Sequence, residues 1–220
     1  MSNELIKRIF TSIILVSLLI LAFLYSFILI ILLIFVSIIS WIEFNSLFLR
    51  IFNKNEPMSK FLRFLLKAIT LIYLSFFSII IFKTIGNIEI KKYLIFLITV
   101  CVCSDVGGLV FGKFFKGKKL TKISPNKTVS GSIGSVILSL PLIPIFYPIF
   151  NYNYDLIFLL ILTIIVSASC QLGDLFISYL KRRAKVKDTG DLLPGHGGFL
   201  DRIDGILFAV PIGLLMFLII

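Results

Sequence analysis

A short segment of this chain, residues 178–204, combines a basic run, four carboxylates, a glycine-rich turn and the only histidine, His196. Lysines and the backbone amides of a glycine-rich turn can hold phosphate groups, and aspartates can bind Mg²⁺ together with substrate phosphates. Such a set suits phosphoryl or nucleotidyl transfer, in which a protein mainly positions and neutralises charge. The four acidic residues are Asp188, Asp191, Asp201 and Asp204.

A polar stripe leads into this segment. Its members recur every three or four residues, which places them on one face of a helix. A carboxylate at the centre of a membrane helix costs about 2.5–3.5 kcal/mol, so the stripe should face protein, a polar cavity or an ion. A helix-packing face, with Asp174 near the membrane surface, remains the alternative. The stripe consists of Ser167, Gln171, Asp174, Ser178 and Lys181.

A second polar segment, residues 113–130, is rich in lysine and ends in Ser124-Pro125-Asn126-Lys127-Thr128 before an apolar stretch. A lysine beside a helix N-terminus suits an oxyanion, because the free amides and the helix dipole both favour negative charge. The alternative is ordinary capping by Thr128 or Ser130 in a loop that is basic for topological reasons.

Two roles also stay open for residues of the first segment. Asp201 and Asp204 lie three residues apart at the start of the last apolar stretch, where they could cap a helix, bind a metal, or do both. His196 could act as a base or as a hydrogen-bonded turn residue.

One further acid, Asp105, lies inside an apolar stretch outside both polar segments. Helix packing alone explains a carboxylate there poorly, because its charge is costly in a membrane span.

The elements that position these residues must be membrane helices. The chain is 59% hydrophobic, against about 45–50% in soluble domains. About seven apolar stretches approach or reach the roughly 20 residues that a span requires, so we predict an all-α polytopic membrane protein with one domain over residues 1–220. Residues 1–92 would form N-terminal spans and residues 93–220 the catalytic region. The predicted spans are Ile9–Leu24, Phe27–Phe48, Phe61–Phe82, Tyr93–Gly112, Ser130–Phe150, Tyr154–Leu175 and Ile203–Ile220, with a turn near Tyr25–Ser26.

The net charge of +11 follows from membrane topology rather than from nucleic-acid binding. With the N-terminus in the cytoplasm, every Lys and Arg except Lys83, Lys91 and Lys92 falls on the inner side, as the positive-inside rule expects. Both polar segments then share the cytoplasmic face, where they can build one site. Basic residues there also attract anionic membrane lipids.

The 178–204 segment resembles the signature of bacterial phosphatidate cytidylyltransferases, also called CDP-diacylglycerol synthases. That signature runs S-x-x-K-R, four residues, K-D-x-G, then P-G-H-G-G and D-R-x-D. The upstream S-P-x-K-T and the Gly173-Asp174 pair are also similar, so the resemblance covers roughly Ser104 to Ile220. The matching positions are Ser178, Lys181, Arg182, Lys187, Asp188, Gly190, Pro194–Gly198, Asp201, Arg202 and Asp204.

The resemblance implies transfer of the cytidylyl group of CTP to phosphatidate, giving CDP-diacylglycerol and pyrophosphate for phospholipid synthesis. It implies Mg²⁺ paired with a monovalent ion such as K⁺, a homodimer, and a multi-pass protein of the bacterial cytoplasmic membrane. By the same resemblance Asp174 and Asp201 would hold the metal with Asp204 close by, and Lys181 would complete the catalytic set. The implied substrate-binding residues are Ser124, Lys127, Thr128, Ser178, Arg182, Lys187, Asp188, His196, Gly197, Gly198 and Arg202.

The chain departs from the family pattern at Ser130, where K-T-x-E-G commonly has an acidic residue. Two other functional classes also fit the residues. A CTP-dependent polyprenol or lipid kinase would move only a phosphoryl group and release CDP. An ion-coupled transporter is a weaker alternative, because the polar residues gather at one face and no span is broken at mid-depth.

Overall fold

The computed structural model describes residues 3–52, 56–85, 87–192 and 197–219, and these residues form helices and no β-strand. Helices are expected, because a backbone in lipid must satisfy its own hydrogen bonds. The helices are α1 (Asn3–Leu24), α2 (Ser26–Ile51), α3 (Pro57–Phe82), α4 (Ile88–Phe115), α5 (Val129–Ser139), α6 (Leu142–Phe146), α7 (Leu156–Arg183) and α8 (Leu200–Ile219).

Six segments among the described residues are long and apolar enough to cross a bilayer. A shorter apolar stretch, Ile13–Leu24, lies within α1. These helices confirm the predicted all-α polytopic architecture, and the protein is a multi-pass membrane protein. The six segments are Ser26–Ile51, Pro57–Phe82, Ile90–Phe115, Val129–Phe146, Leu156–Arg183 and Leu200–Ile219.

Three helix boundaries bear on the sequence predictions. The predicted turn between the first two spans is confirmed, because Tyr25 alone separates α1 from α2 and has an extended backbone (φ −118°, ψ 111°). Within the fifth predicted span, α5 ends at Ser139 and α6 begins at Leu142, because Pro141 has no N–H to continue the preceding helix. Helix α7 continues to Arg183, so the whole polar stripe from Ser167 to Lys181 lies on one helix.

The chain forms two compact units. The first contains Met1–Gly86 and Leu180–Ile203, and the second contains Asn87–Tyr179 and Asp204–Ile220. In the first unit α2 packs against both α1 and α3, and a 2.8 Å hydrogen bond between Ser37 and Ser78 joins α2 to α3.

In the second unit α4 packs closely against α5. A Cβ atom on Gly107 would lie only 2.5 Å from the carbonyl oxygen of Gly134, so the two backbones touch. Such close approach of two membrane helices depends on small residues at the contact. Two further contacts extend from α4: Ser104 shares a buried 2.9 Å hydrogen bond with Ser167 of α7, and the Tyr93 ring stacks on Phe217 of α8.

Candidate functional site

Three carboxylates and one lysine form the principal polar group of the second unit. Asp204 of α8 interacts electrostatically with Asp174 of α7, Asp105 of α4 and Lys127 of the loop before α5. We call these four residues the aspartate cluster. It draws on four separate parts of the chain, so its assembly depends on how α4, α7 and α8 pack within this unit.

Two glycines bring α7 and α8 together at the cluster. A Cβ atom on Gly173 would lie 2.5 Å from the carbonyl oxygen of Asp204, and one on Gly205 would meet the Cys170 side chain. Any side chain at these glycines would force the helices apart. Because each glycine adjoins an aspartate in sequence, the same contact places Asp174 and Asp204 next to one another.

Lys127 forms an ion pair with Asp174, which connects the lysine-rich loop to the polar stripe. Backbone hydrogen bonds hold the base of this loop in place: Leu120 N donates to Lys127 O at 2.8 Å, and Val129 N donates to Lys118 O at 3.0 Å. The amide of Lys127 also donates to the carbonyl oxygen of Ser124 at 3.1 Å. The ion pair therefore joins the lysine-rich loop to the α7 stripe within this unit.

The capping role considered for Thr128 is confirmed. Its side chain accepts a hydrogen bond from Gly131 N at 3.1 Å, which caps the N-terminus of α5. Ser130, which stands where the family commonly has an acid, shares a 3.0 Å hydrogen bond with Thr128 and donates to the carbonyl oxygen of Lys116. Ser130 thus fastens the loop rather than adding charge to the cluster.

The polar stripe of α7 faces other protein groups along its length. Ser167 bonds to Ser104, and Gln171 accepts a hydrogen bond from Ser132. Asp174 pairs with Lys127 and also accepts from Ser178 at 3.3 Å. Ser178, one of the predicted substrate-binding residues, is buried, and its hydroxyl bonds to the Asp174 carboxylate.

Asp105 was singled out by its position in an apolar stretch but was not among the predicted functional residues. Its side chain is exposed, and its Oδ1 accepts a hydrogen bond from Cys170 Sγ at 3.7 Å. An exposed carboxylate within a membrane span is costly unless it faces a polar cavity or a cation. The structure therefore adds Asp105 to the candidate site.

The first unit contains a second polar group, centred on Asp201. Lys181 Nζ lies 2.6 Å from Asp201 Oδ1, and the two side chains are only 15% and 8% exposed. The amide of Thr189 donates to Asp201 Oδ2 at 2.8 Å. Asp201 lies in the first turn of α8, but its carboxylate bonds to these residues from other segments.

Two members of this second group were missed at the sequence level. Glu43 of α2 is buried and accepts hydrogen bonds from the amides of Phe199 and Leu200 and from the Thr189 hydroxyl. The available signal was that Glu43 is the only acidic residue of α2, and such residues in membrane spans mark functional sites by default. Thr189 had no comparable signal, because a threonine in a loop is ordinary.

The remaining predicted residues of the first unit line its surface. Asp188 is exposed, and a Cβ atom on Gly197 would lie 3.0 Å from Asp188 Cγ. Gly197 has φ +80°, a left-handed backbone conformation that glycine adopts readily. His196 lies outside the described residues. Arg182, Lys187 and Arg202 are exposed basic residues.

Asp174 and Asp201 belong to different units, and their joint role as metal ligands stays a prediction. Among the described residues, no three His, Cys, Asp or Glu side chains are grouped so that they could hold a metal ion. Mg²⁺ does not require such a cage, because it binds through one or two carboxylates with waters and substrate phosphates. The aspartate cluster fits that requirement, since its carboxylates outnumber its lysine and offer oxygen ligands.

Comparisons with known proteins agree with the motif. A model described as the cytidylyltransferase family matches residues 6–220. A phosphatidate cytidylyltransferase of Staphylococcus saprophyticus is 47% identical over 122 residues, covering 54% of this chain and 46% of that protein. The phosphatidate cytidylyltransferase of Bacillus subtilis is 43% identical over 120 residues (54% and 45%), and that of Rickettsia bellii is 42% identical over 144 residues (61% and 61%). The chain thus matches about half the length of the first two of these relatives.

Proposed function

We propose a function from one premise: this chain belongs to the cytidylyltransferase family. The family match over residues 6–220 confirms the resemblance predicted from the 178–204 segment. We propose that the protein transfers the cytidylyl group of CTP to phosphatidate, giving CDP-diacylglycerol and pyrophosphate. The relatives named above are called phosphatidate cytidylyltransferases, but this chain matches only part of their length. The activity of this chain is therefore a proposal to be tested.

The aspartate cluster is the observation that carries this proposal. Three carboxylates and Lys127 lie together in one unit of a multi-pass membrane protein, where unpaired charge is costly. Asp174 and Asp204 are the residues of this unit that would hold Mg²⁺. Bound Mg²⁺ would neutralise part of the negative charge on the triphosphate oxygens.

The reaction asks little covalent chemistry of the protein. A phosphate oxygen of phosphatidate forms a bond to the α-phosphorus of CTP, and the bond from that phosphorus to the bridging oxygen breaks, releasing pyrophosphate. A phosphate monoester has its second pKa at about 6, so the attacking oxygen is mostly deprotonated at neutral pH. The chain's task is therefore to orient two anionic groups and offset their repulsion.

The basic residues suit both tasks. Lys127 lies on a loop fixed by backbone hydrogen bonds, and its ammonium group pairs with Asp174, from which it could turn to a substrate phosphate. The lysine-rich loop would also attract an anionic lipid such as phosphatidate. The asymmetric distribution of Lys and Arg favours a cytoplasmic location for the N-terminus and these loops, where CTP is present. A K⁺ ion and a homodimer, implied by the resemblance, remain parts of this proposal.

The deciding experiment uses CTP labelled at the α-phosphate. Purified protein is incubated with phosphatidate vesicles and Mg²⁺, and label is followed in the lipid and aqueous phases. We expect labelled CDP-diacylglycerol and unlabelled pyrophosphate. Labelled CDP with no label in lipid would instead indicate a lipid kinase. Ion flux into liposomes without any CTP turnover would favour a transporter.

We expect Lys127→Ala to raise the KM for CTP by roughly 10-fold or more, because a hydrogen bond to a charged group is worth about 1.5–3 kcal/mol. Steady-state kinetics with varied CTP give the value. Lys122→Ala is the matched control, since Lys122 is an exposed lysine of the same loop. An unchanged KM in the Lys127 variant would show that Lys127 does not bind CTP and only pairs with Asp174.

A further inference from the structure

Glu43 is an acidic side chain placed where acids are rarely found. It lies in α2, one of the helices long and apolar enough to span a bilayer, and it is only 6% exposed. Burial of a carboxylate in such a position persists only when hydrogen bonds and favourable dipoles compensate it. Its partners therefore indicate what the residue does.

Both carboxylate oxygens of Glu43 are engaged. Oε1 accepts a hydrogen bond from the amide of Phe199 at 2.8 Å, and Oε2 accepts from the amide of Leu200 at 2.9 Å. Helix α8 begins at Leu200, so these are amides that no residue of α8 itself can satisfy. Glu43 thus caps α8 from another helix, with its negative charge at the positive end of the α8 dipole.

Two glycines make room for this carboxylate. A Cβ atom on Gly190 would lie 2.8 Å from Glu43 Oε1, and one on Gly198 would lie 2.8 Å from Glu43 Oε2. A side chain at either position would push the acid away from the amides. Both glycines belong to the motif that carries the family resemblance, and in this unit their lack of a side chain is what admits Glu43.

Thr189 connects Glu43 to Asp201. The Thr189 hydroxyl donates to Glu43 Oε2 at 2.5 Å, while its amide donates to Asp201 Oδ2 at 2.8 Å. Thr189 is 5% exposed, so water offers it little alternative bonding. The other oxygen of Asp201 receives Lys181 at 2.6 Å. Glu43 therefore holds both Thr189 and the start of α8, the two parts of the chain that orient Asp201.

We propose that Glu43 is a positioning residue for the cytidylyl transfer, acting through Thr189 and the first turn of α8 to hold Asp201 and Lys181 in their working orientation. The inference rests on the proposed function. It extends the functional machinery into the N-terminal helices, which the sequence motif does not reach. Glu43 is buried and both its oxygens bond to protein groups, so its effect should appear in turnover rather than in substrate binding.

The test compares Glu43→Gln, Glu43→Asp and Thr189→Val in the full chain, assayed with α-labelled CTP. A Gln side chain has one acceptor oxygen, so it cannot serve both the α8 amides and the Thr189 hydroxyl. We expect its kcat to fall about 10–100-fold, as for other residues that orient a catalytic ligand, with the KM for CTP within about threefold of the parent. Glu43→Asp keeps both oxygens and should retain more turnover than Glu43→Gln. The matched control is Glu56→Gln, an exposed acid at the start of α3, which should leave kcat unchanged.

A double variant distinguishes positioning from general stability. If Glu43 acts through Thr189, then Glu43→Gln with Thr189→Val should lose little more turnover than Glu43→Gln alone. Multiplying losses would overturn the proposal, and so would a lowered melting temperature with unchanged kcat per folded molecule. Should Glu43→Gln fail to fold, Thr189→Val alone decides, and wild-type turnover in that variant would overturn the proposal. Absence of labelled lipid with the wild-type protein is a different result, because it rejects the proposed function itself.

Discussion

Asp174→Asn is expected to reduce kcat/KM for CTP by at least about 100-fold, the scale seen when a preorganised charge is removed from a reacting centre. Asp174 belongs to the aspartate cluster, where it pairs with Lys127 and interacts electrostatically with Asp204. The amide has nearly the same shape but carries no charge, so it binds Mg²⁺ weakly and releases Lys127. The loss should be largest at low Mg²⁺ concentration and should shrink only partly as Mg²⁺ is raised.

The measurement is a magnesium titration of turnover for the variant and for Asp155→Asn. Asp155 is an exposed aspartate immediately before α7, so it controls for a change of charge at the opposite end of the same helix. Circular dichroism in detergent should give equal helix content for both variants. Near-normal turnover of Asp174→Asn across the titration would refute the metal assignment of this residue.

Asp201→Asn is expected to lose turnover and stability together. Lys181 and Asp201 form a mostly buried pair, and removing one member of such a pair typically costs about 3–5 kcal/mol because the other charge is left buried and unpaired. The carboxamide can still accept from the Thr189 amide, but it cannot neutralise Lys181. We therefore expect a melting temperature several degrees lower and turnover reduced at least about 100-fold.

A second variant separates the two losses. Adding Lys181→Met to Asp201→Asn removes the unpaired charge, so the melting temperature should return close to that of the parent, since buried pairs are often replaceable by apolar groups without loss of stability. Turnover should not return, because the reaction needs the charges themselves. Asp191→Asn, an exposed acid of the same segment, is the control for both readouts. Recovery of turnover in the double variant would assign the pair a structural role alone.

Local patterns were sufficient to predict the helices and several of their details. The charge-free run from Ile9 to Ile42 predicted two spans, and the break falls at Tyr25 as expected. Capping by Thr128 or Ser130 before an apolar stretch was one of two interpretations, and Thr128 does cap α5. These features depend on residues within a few positions of one another, so hydropathy and periodicity capture them. The interruption at Pro141 was missed because the apolar run continues through it.

The composition of the candidate site was only partly predictable. The motif identified Asp174, Asp201 and Asp204 as chemistry-bearing residues, but not that Asp174 pairs with Lys127 or that Asp201 pairs with Lys181. Each pairing joins segments whose separation in sequence carries no information about side-chain direction. From the sequence alone, Lys127 and Lys181 therefore could not be identified either as substrate contacts or as counter-ions of the aspartates.

The sequence by itself determined the membrane helices, the family and the residue types available for chemistry, because these follow from local hydropathy and from a motif of closely spaced residues. Only the tertiary structure decided which of those residues meet. It placed Asp105 in the aspartate cluster and brought the carboxylate of Glu43 against amides more than a hundred positions away. The physical reason is that burying a charge is costly, and its compensation comes from whichever donors helix packing brings within hydrogen-bonding distance.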